Sequence, residues 1–347
     1  MPEMFDRRGK QALYVLAQLC VIGGNAVVMV VAFQVGNMSW IDLSPVLGLP
    51  ATYSYFALSG GAALVILATL AITVRLVKLG LGSYAFRWSI GIKDRQPPTP
   101  MTAMEVLEIA HRHGLSVVQY ADNLPLDRLS AEDHRALKAR ADGYGMTLEL
   151  GTQGFNAAEL ARYIPIGQRI GSNILRVALD AEDALIPVPD LAAQLRELLP
   201  DGKAAGLRFA IENHFDYPSP RMVQLLDAVA DDALGVCLDV ANSICAGEWP
   251  MQTVRMLAPH AINLHFKDYR ITPDPYGVGF RIHGTPLGQG RAELAEVLDA
   301  LAHCDPDMSV ILEHWLPPSD DMEATRALEH EWLDRTVAAA RRLLAGR

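Results

Sequence analysis

Short apolar runs alternate with amphipathic helical stretches from about residue 79 to the end of the chain. Runs of five or six apolar residues are typical of buried parallel strands, and stretches with apolar residues three or four positions apart are typical of helices packed on a sheet. Eight such pairs fit between residues 79 and 347, and roughly 250 residues is usual for a (β/α)8 barrel. The pattern therefore predicts an α/β fold with a TIM barrel over residues 79–347.

An open, doubly wound sheet is the alternative fold, but no G-x-G-x-x-G turn follows any of the predicted strands. The seventh unit is longer than the others because a polar, Gly/Pro-rich insertion from Arg270 to Gly290 separates its strand from its helix. The predicted strands are 79–86, 115–121, 146–151, 173–179, 207–212, 234–239, 261–268 and 309–315.

Two uncharged stretches precede the predicted barrel. Residues 11–35 and 43–74 contain no Asp, Glu, Lys or Arg, and roughly 20 apolar residues are enough to span a bilayer. The whole chain is 50% hydrophobic, which is high for a soluble enzyme. The sequence thus predicts a transmembrane hairpin with helices near 12–35 and 53–77, forming a first domain over residues 1–78.

The charges that flank these stretches predict an orientation. Three basic residues lie between positions 7 and 10, Arg75 and Lys78 follow the second stretch, and Asp42 is the charge between the two. The positive-inside rule then predicts a multi-pass protein of the cytoplasmic (inner) membrane with its barrel in the cytoplasm. A cleaved signal peptide is the alternative, but the first stretch is long and has no A-x-A site.

The barrel segment is acidic. Residues 1–78 hold five Lys/Arg against three Asp/Glu, and the chain as a whole carries a net charge of −10, so the remaining residues carry −12. Such a charge argues against a nucleic-acid partner. The four cysteines form no C-x-x-C pair and are most simply buried thiols of a reducing compartment.

Four consecutive predicted strands each end in a residue that can bind a metal: Glu212, Asp239, His265 and Glu313. The carboxyl ends of neighbouring strands meet at the catalytic face of a barrel, so these side chains are expected to lie within one coordination sphere. Three carboxylates and one imidazole suit Mn²⁺, Mg²⁺, Co²⁺ or Zn²⁺. The sequence predicts a site for one divalent cation, without choosing among these metals.

Other polar residues cluster at the same predicted rim and are candidates for substrate binding. Arg176 lies within an apolar strand, where an unpaired charge is costly, and Glu149 is a candidate partner for it. Lys267 shares the inward face of its strand with His265. The full set of predicted substrate-binding residues is His214, Asn242, Lys267, Arg176 and Glu149.

The stretches IENHFDYPS, GVCLDVANSICAGE, INLHFKDY, GTPLGQG and VILEHW resemble the sugar phosphate isomerase/epimerase group of the xylose isomerase-like TIM-barrel superfamily. The resemblance covers residues 80 to about 345. It implies that Glu212, Asp239, His265 and Glu313 bind one divalent cation. It also implies a keto-sugar or polyol substrate and a metal-stabilised enediolate, with Glu212 and Glu313 exchanging protons as catalytic base and acid.

The sequence departs from the epimerases of that group at two places. Asn242 stands where tagatose 3-epimerase-like enzymes have a histidine, and the H-F-K-D segment is closer to the dehydratase-like branches. An isomerase/epimerase, a dehydratase of an inosose-like or keto-acid substrate, and a transport-associated barrel without catalysis therefore stay open. The endonuclease IV branch is disfavoured, because His111 and His113 fall in the first predicted helix of the barrel and the barrel is acidic.

The segment SPVLGLPATYSYFALSGGAALVILATLAITVRL is similar to the last span of the small permease subunit of TRAP-type transporters. The resemblance covers about residues 10–77 and half of such a subunit. It implies a fusion with part of an uptake system and transporter subunits as partners, whereas the simpler interpretation is a membrane anchor.

Overall fold

The computed structural model describes residues 7–43, 49–73, 78–305 and 307–345. The chain divides into two compact units, Met1–Leu76 and Val77–Arg347.

The first unit contains two helices that pack against each other, α1 (Arg7–Met38) and α2 (Thr52–Thr73). Hydroxyl groups of α2 donate to backbone carbonyls of α1: Thr52 Oγ1 to Gly36 O at 2.7 Å and Ser59 Oγ to Met29 O at 3.0 Å. A side chain at position 36 would collide with Phe56, since a Cβ there would lie 2.8 Å from its ring. Glycine at this position allows the two backbones to approach.

One helical stretch among the described residues, Leu19–Met38, is long and apolar enough to cross a membrane, and Thr52–Ile66 is apolar but shorter. A signal sequence or a buried core helix meets the same length and composition test. The two predicted spans coincide with helices, except that residues 74–77 lie outside the described residues. The transmembrane hairpin, its orientation and the membrane location therefore stay predictions.

The second unit is a closed barrel of eight parallel strands in the order β1-β10-β7-β6-β5-β4-β3-β2, so the predicted (β/α)8 fold is confirmed. Its strands, with a separate two-stranded hairpin of β8 and β9, are β1 (Lys78–Gly82), β2 (Val117–Tyr120), β3 (Thr147–Gln153), β4 (Ile174–Ala178), β5 (Arg208–Glu212), β6 (Leu234–Asp239), β7 (Ala261–Phe266), β8 (Asp268–Pro273), β9 (Phe280–Thr285) and β10 (Ser309–Leu312). The helices are α3 (Arg87–Ile90), α4 (Ala103–Arg112), α5 (Ala131–Gly143), α6 (Ala157–Ile170), α7 (Val188–Ala204), α8 (Ser219–Val229), α9 (Pro250–Leu257), α10 (Leu294–Ala300) and α11 (Met322–Leu344).

Local sequence explains where several of these helices begin and end. Thr102 and Ser130 form capping boxes at the starts of α4 and α5, in which each hydroxyl accepts from the backbone three residues on. Gly171 ends α6 in the left-handed conformation, which glycine adopts without strain. The apolar faces of the helices pack on the outer face of the barrel around buried residues such as Leu107 and Phe209.

Two predicted elements differ from the structure. Residues Ser83–Phe86 form a 3₁₀ turn rather than the end of the first strand. The insertion after β7, predicted as a polar loop, contains the antiparallel hairpin of β8 and β9. Its turn is closed by Asp274, which accepts from Tyr276 N through its side chain and from Gly277 N through its carbonyl, both at 2.9 Å.

A fully buried carboxylate joins the last helix of the barrel to the first β/α connection. Glu329 on α11 accepts from Trp88 N at 2.7 Å, Ser89 N at 3.0 Å and Ser89 Oγ at 2.6 Å. We expect Glu329→Gln to lower the free energy of unfolding by about 1–3 kcal/mol, because the amide nitrogen leaves a buried donor unpaired. Urea unfolding of the full-length chain in a mild detergent measures this change.

The matched control is Glu331→Gln on the same helix. The side chain of Glu331 is 59% exposed, so this variant should change the free energy of unfolding by at most about 0.5 kcal/mol.

Burial raises the pKa of Glu329 to about 7 despite its hydrogen bonds. The folded chain then binds more protons than the unfolded chain between pH 4.5 and 7, so this residue makes stability fall as pH rises through that window. Equal unfolding midpoints and pH slopes for both variants would contradict this role for Glu329.

Candidate active site

The four predicted metal ligands converge at the carboxyl ends of the barrel strands. Glu212 ends β5, Asp239 ends β6, His265 lies on β7 in register with Asp239, and Glu313 directly follows β10. All four are buried. His265 Nδ1 lies 3.4 Å from Glu212 Oε1, 3.8 Å from Asp239 Oδ2 and 3.4 Å from Glu313 Oε2. The structure therefore brings together the side chains that strand-end spacing had selected.

The geometry of these donors fits one divalent cation. Atoms that lie about 2.1 Å from a single ion are about 3.0–3.5 Å from one another, which is close to the separations around His265 Nδ1. His265 Nδ1 and Glu313 Oε1 are buried and make no hydrogen bond within the described part of the chain. Ligand atoms of Asp239, His265 and Glu313 lie within 4.8 Å of one another. Unpaired donors that face each other in a buried site are stabilised by a cation between them.

Charges around the cluster act differently on its carboxylates. Burial is the largest single effect on the pKa of Glu212 and raises it, but the Arg176 guanidinium and His265 together outweigh burial and hold this pKa well below its usual value. The pKa of Glu313 is also lowered, by His265 and Lys267 acting against burial. Burial dominates at Asp239 and raises its pKa. Glu212 is thus the carboxylate most firmly held in its charged form.

Three of the predicted substrate-binding residues touch the ligand carboxylates. Arg176 donates through Nε to Glu212 Oε2, and Asn242 Nδ2 donates to Glu212 Oε1 at 2.7 Å. Lys267 Nζ lies 2.6 Å from Asp239 Oδ2 and 2.9 Å from Glu313 Oε2. Asp239 and Glu313 raise the pKa of Lys267 even though burial lowers it, so its ammonium stays charged.

The other two predicted substrate-binding residues lie apart from this contact network. His214 is partly buried and stacks on Phe215, with ring centres 4.2 Å apart. Glu149 does not pair with Arg176, because the residue of β3 in register with Arg176 is Gly151. Glu149 lies two residues earlier on β3 and therefore one layer deeper in the barrel. The partners of Arg176 are instead Glu212, Asp122 at 3.3 Å and the carbonyl of Thr152 at 3.0 Å.

Residues that sequence analysis did not select also shape the site. Gln119 Oε1 lies 2.6 Å from His265 Nε2. The side chain of Asn213 holds the backbone of Asp239, accepting from its N at 2.7 Å and donating to its O at 2.8 Å. Asp122 accepts from Tyr84 Oη at 2.7 Å and is 26% exposed. Gln119 is a polar residue at an inward position of an apolar strand, and this could have marked it as a candidate site residue. Its position alone does not show that its side chain meets His265.

The insertion is anchored beside the site by Asp268. Its side chain accepts from the backbone nitrogens of Gly288 at 2.9 Å, Gly290 at 2.8 Å and Ala292 at 2.9 Å. A Cβ at position 290 would lie 2.2 Å from Asp268 Oδ1. Glycine there lets the GTPLGQG segment wrap around this carboxylate. The segment that follows β9 is thereby fixed to Asp268, the first residue of β8.

The family described as "Xylose isomerase-like TIM barrel" matches residues 107–336. The chain belongs to this family. 3-Oxo-isoapionate decarboxylase from Pectobacterium atrosepticum is 28% identical to this chain over 254 residues, which are 73% of this chain and 91% of the relative. The uncharacterized protein YihM from Escherichia coli is 26% identical over 211 residues, covering 58% of this chain and 62% of the relative.

Solved structures of the xylose isomerase-like fold are also similar. D-psicose 3-epimerase with D-tagatose, from Clostridium cellulolyticum, aligns with a TM-score of 0.57 at 15% identity, covering 76% of this chain and 99% of the epimerase. A xylose isomerase-like protein from Mycobacterium smegmatis in complex with magnesium aligns with a TM-score of 0.53 at 16% identity, covering 76% and 97%. The IOLI protein with a zinc atom aligns with a TM-score of 0.58 at 15% identity, covering 78% and 99%.

At these identities the structures share the fold with this chain, and two of them hold a divalent metal. The xylose isomerase-like match begins at residue 107, so it does not bear on the N-terminal helices. The resemblance of that segment to a transporter subunit, and the transporter and membrane partners it implies, stay predictions.

Proposed function

We propose that the barrel is a divalent-cation-dependent lyase that cleaves a polyhydroxylated keto acid through an enolate, with decarboxylation of a 3-keto sugar acid as the reaction. The observation that carries the choice of a lyase is that both oxygens of Glu212 are engaged, by Asn242 and by Arg176. The substrate class is supported by the 28% identity to 3-oxo-isoapionate decarboxylase over 91% of that relative.

Glu212, Asp239, His265 and Glu313 are the residues that would hold the cation. When bound, the cation supplies positive charge that draws electrons toward an adjacent ketone oxygen of the substrate. Lys267 adds a fixed ammonium beside Asp239 and Glu313. Its ammonium lies 5.1 Å from the centre of the Trp315 ring, a contact that orients the charge. Together these groups provide a cationic setting for an acidic substrate.

Epimerisation requires two groups that exchange protons on opposite faces of one carbon. Glu212 is poorly suited to take a proton, because Arg176 keeps its pKa well below the usual value and neither of its oxygens is free. Glu313 is different, since its Oε1 has no hydrogen-bond partner among the described residues. We assign proton transfer to Glu313 alone.

A decarboxylation needs only one proton transfer. The bond between the carboxyl carbon and the α carbon breaks, and its electron pair forms an enolate with the neighbouring ketone. Carbon dioxide leaves, and the α carbon then takes one proton by way of Glu313. The positions of Lys267 and Arg176 near the carboxylates favour an anionic substrate over a neutral ketose.

The isomerase/epimerase predicted from the sequence is the second candidate. It is supported by the likeness of the barrel to D-psicose 3-epimerase, with a TM-score of 0.57, and by the presence of two glutamates, Glu212 and Glu313, in one cluster. In that case Glu212 would have to accept a proton despite its contact with Arg176. Dehydration of a keto acid also passes through an enolate, but a base first removes the α proton to form it, and the β-hydroxyl group then leaves as water after taking a proton.

The full-length chain, supplied with Mn²⁺ in D₂O, distinguishes these reactions. With 3-oxo-isoapionate as substrate we expect release of CO₂ and one deuterium in the product, measured by gas chromatography and by NMR. D-psicose and D-tagatose are the comparison substrates, and their C3 epimers carrying deuterium would support the epimerase instead. EDTA should abolish turnover and Mn²⁺ should restore it. Absence of CO₂ release from a panel of 3-keto sugar acids would overturn the decarboxylase proposal.

A further inference from the structure

We infer that Glu149 and Gln119 set the tautomer of His265, which makes Glu149 a positioning residue of the cation site rather than a substrate-binding residue. The inference rests on the proposed function in one respect, namely that His265 is a ligand of the cation. The residues involved form a buried polar layer inside the barrel, on the amino-terminal side of the four candidate ligands.

This layer is formed by four residues at inward positions of four strands. Gln119 of β2 is in register with Glu149 of β3, and Asn263 of β7 is in register with Ser309 of β10. Asn263 precedes His265 by two residues on the same strand, so the layer lies one step toward the amino-terminal ends of the strands. All four side chains are at most 4% exposed, and polar groups buried to this degree need defined partners.

Glu149 accepts from every member of the layer. Its Oε2 accepts from Gln119 Nε2 at 2.9 Å and from Asn263 Nδ2 at 3.0 Å, and its Oε1 accepts from Ser309 Oγ. The second N–H of Gln119 donates to Asn263 Oδ1 at 3.1 Å. Ionised Glu149 and the carbonyl oxygen of Asn263 both only accept hydrogen bonds, so the amide nitrogen of Gln119 faces these two groups. The amide of Gln119 consequently has one favourable orientation.

That orientation decides the protonation of His265. With its nitrogen directed at Glu149, Gln119 presents its carbonyl oxygen to His265 Nε2, 2.6 Å away. A carbonyl oxygen accepts only, so Nε2 carries the hydrogen, and the neutral ring is left with its lone pair on Nδ1. His265 Nδ1 is the atom that faces the carboxylates of Glu212 and Glu313, at 3.4 Å from each.

Without Glu149 the Gln119 amide keeps one acceptor, Asn263 Oδ1, and loses the other, so the turned-over orientation becomes accessible. Its NH₂ group would then face His265 Nε2 and favour hydrogen on Nδ1, directed at the position where a cation would bind. Groups that orient a ligating histidine in this way typically change metal affinity by about 10–100-fold when they are removed. Glu149 would therefore influence cation binding through two groups, the side-chain amide of Gln119 and the imidazole ring of His265.

The test uses the metal-free full-length chain with ¹⁵N-labelled histidine, with the pH raised until the His265 ring is neutral, because Glu313 and Glu212 raise its pKa against the effect of burial. The chain has ten histidines, so the His265 signals are assigned by their loss in His265→Ala. We expect the unaltered protein to show hydrogen on Nε2, and Glu149→Leu, which has no acceptor for Gln119, to show a mixture of tautomers or hydrogen on Nδ1. Mn²⁺ binding measured by electron paramagnetic resonance should weaken by about 10–100-fold in Glu149→Leu.

Ser309→Ala is the matched control, because it removes a different hydrogen bond of Glu149 and leaves the Gln119 contact intact. It should keep the Nε2 tautomer and bind Mn²⁺ within about threefold of the unaltered protein. If Glu149→Leu does not fold, Gln119→Met serves as the second variant, since it removes the acceptor for His265 and leaves Glu149 with two partners. The same change of tautomer and affinity is expected for it.

An unchanged His265 tautomer and unchanged Mn²⁺ affinity in the folded variants would overturn the inference. So would equal losses in Ser309→Ala and Glu149→Leu, because they would show that disturbing the layer in any way has the same effect. The tautomer is measured without metal or substrate. A protein that shows the expected tautomer changes but releases no CO₂ would therefore refute the proposed reaction and leave this inference standing.

Discussion

Glu313→Gln is expected to lower kcat for the proposed decarboxylation by roughly 10²–10⁴-fold, the usual loss when a general acid or base is removed. Glu313 Oε1 is a buried ligand oxygen without a hydrogen bond to any residue that the structure describes, and an amide in its place does not carry a proton. The replacement preserves size, so the barrel should keep its fold. Rates measured at saturating Mn²⁺ separate a lost proton transfer from weaker cation binding.

Glu331→Gln is the control for this experiment, since it makes the same chemical change at an exposed position of α11. Its kcat should match that of the unaltered protein. Asn242→Ala gives a further comparison, because it frees Glu212 Oε1 and should affect KM and cation affinity more than the proton-transfer step. A kcat for Glu313→Gln within tenfold of the unaltered protein, at full Mn²⁺ occupancy, would assign proton transfer to another group.

Arg176→Met is expected to destabilise the barrel by about 3–5 kcal/mol, the usual cost of leaving one partner of a buried ion pair without its counter-charge. Arg176 and Glu212 have side chains that are 4% and 2% exposed. The double variant Arg176→Met with Glu212→Gln should recover most of the loss, because it removes the uncompensated charge together with its partner. Urea unfolding of the full-length chain without added metal measures all of these variants.

The exposed pair Arg255–Glu296 is the matched control, with side chains 68% and 58% exposed. Arg255→Met should cost about 0–1 kcal/mol. The folded-state pKa of Glu212 is lowered, so its contribution to stability is present above the unfolded pKa and is lost as pH falls toward the folded value. A loss for Arg176→Met no larger than that for Arg255→Met would show that the buried pair does not stabilise the barrel.

The barrel itself was predictable because its sequence is locally consistent. Apolar runs such as LRFAIE and LGVCLD are too short for helices and too apolar for surface strands, and eight of them alternate with amphipathic helical stretches. The hairpin of β8 and β9 was not predicted, because its apolar alternation covers only Tyr269 and Ile271 in one strand and Phe280 and Ile282 in the other, within a Gly/Pro-rich segment. Its pairing depends on the turn at Asp274 and on the anchoring of the following segment to Asp268.

The candidate ligands were predictable because their place in the site depends only on their position along their own strand. A carboxylate or imidazole at the end of a barrel strand faces the catalytic rim whatever the neighbouring strands do, and Glu212, Asp239, His265 and Glu313 meet that condition. Arg176 was predictable because a cation in an apolar strand needs a partner, and Lys267 because it shares the inward face of its strand with His265. The identity of the partner was beyond the sequence, and Glu149 was the wrong choice for Arg176.

The sequence by itself determined the order and type of the barrel elements and the four strand ends that carry the candidate ligands, because both follow from local periodicity. Only the tertiary structure decided which polar atoms meet. The stagger between neighbouring strands places Gly151 rather than Glu149 beside Arg176, and aligns Glu149 with Gln119 below His265. A shift of two residues moves a side chain by one layer of the barrel, and local sequence does not encode that shift.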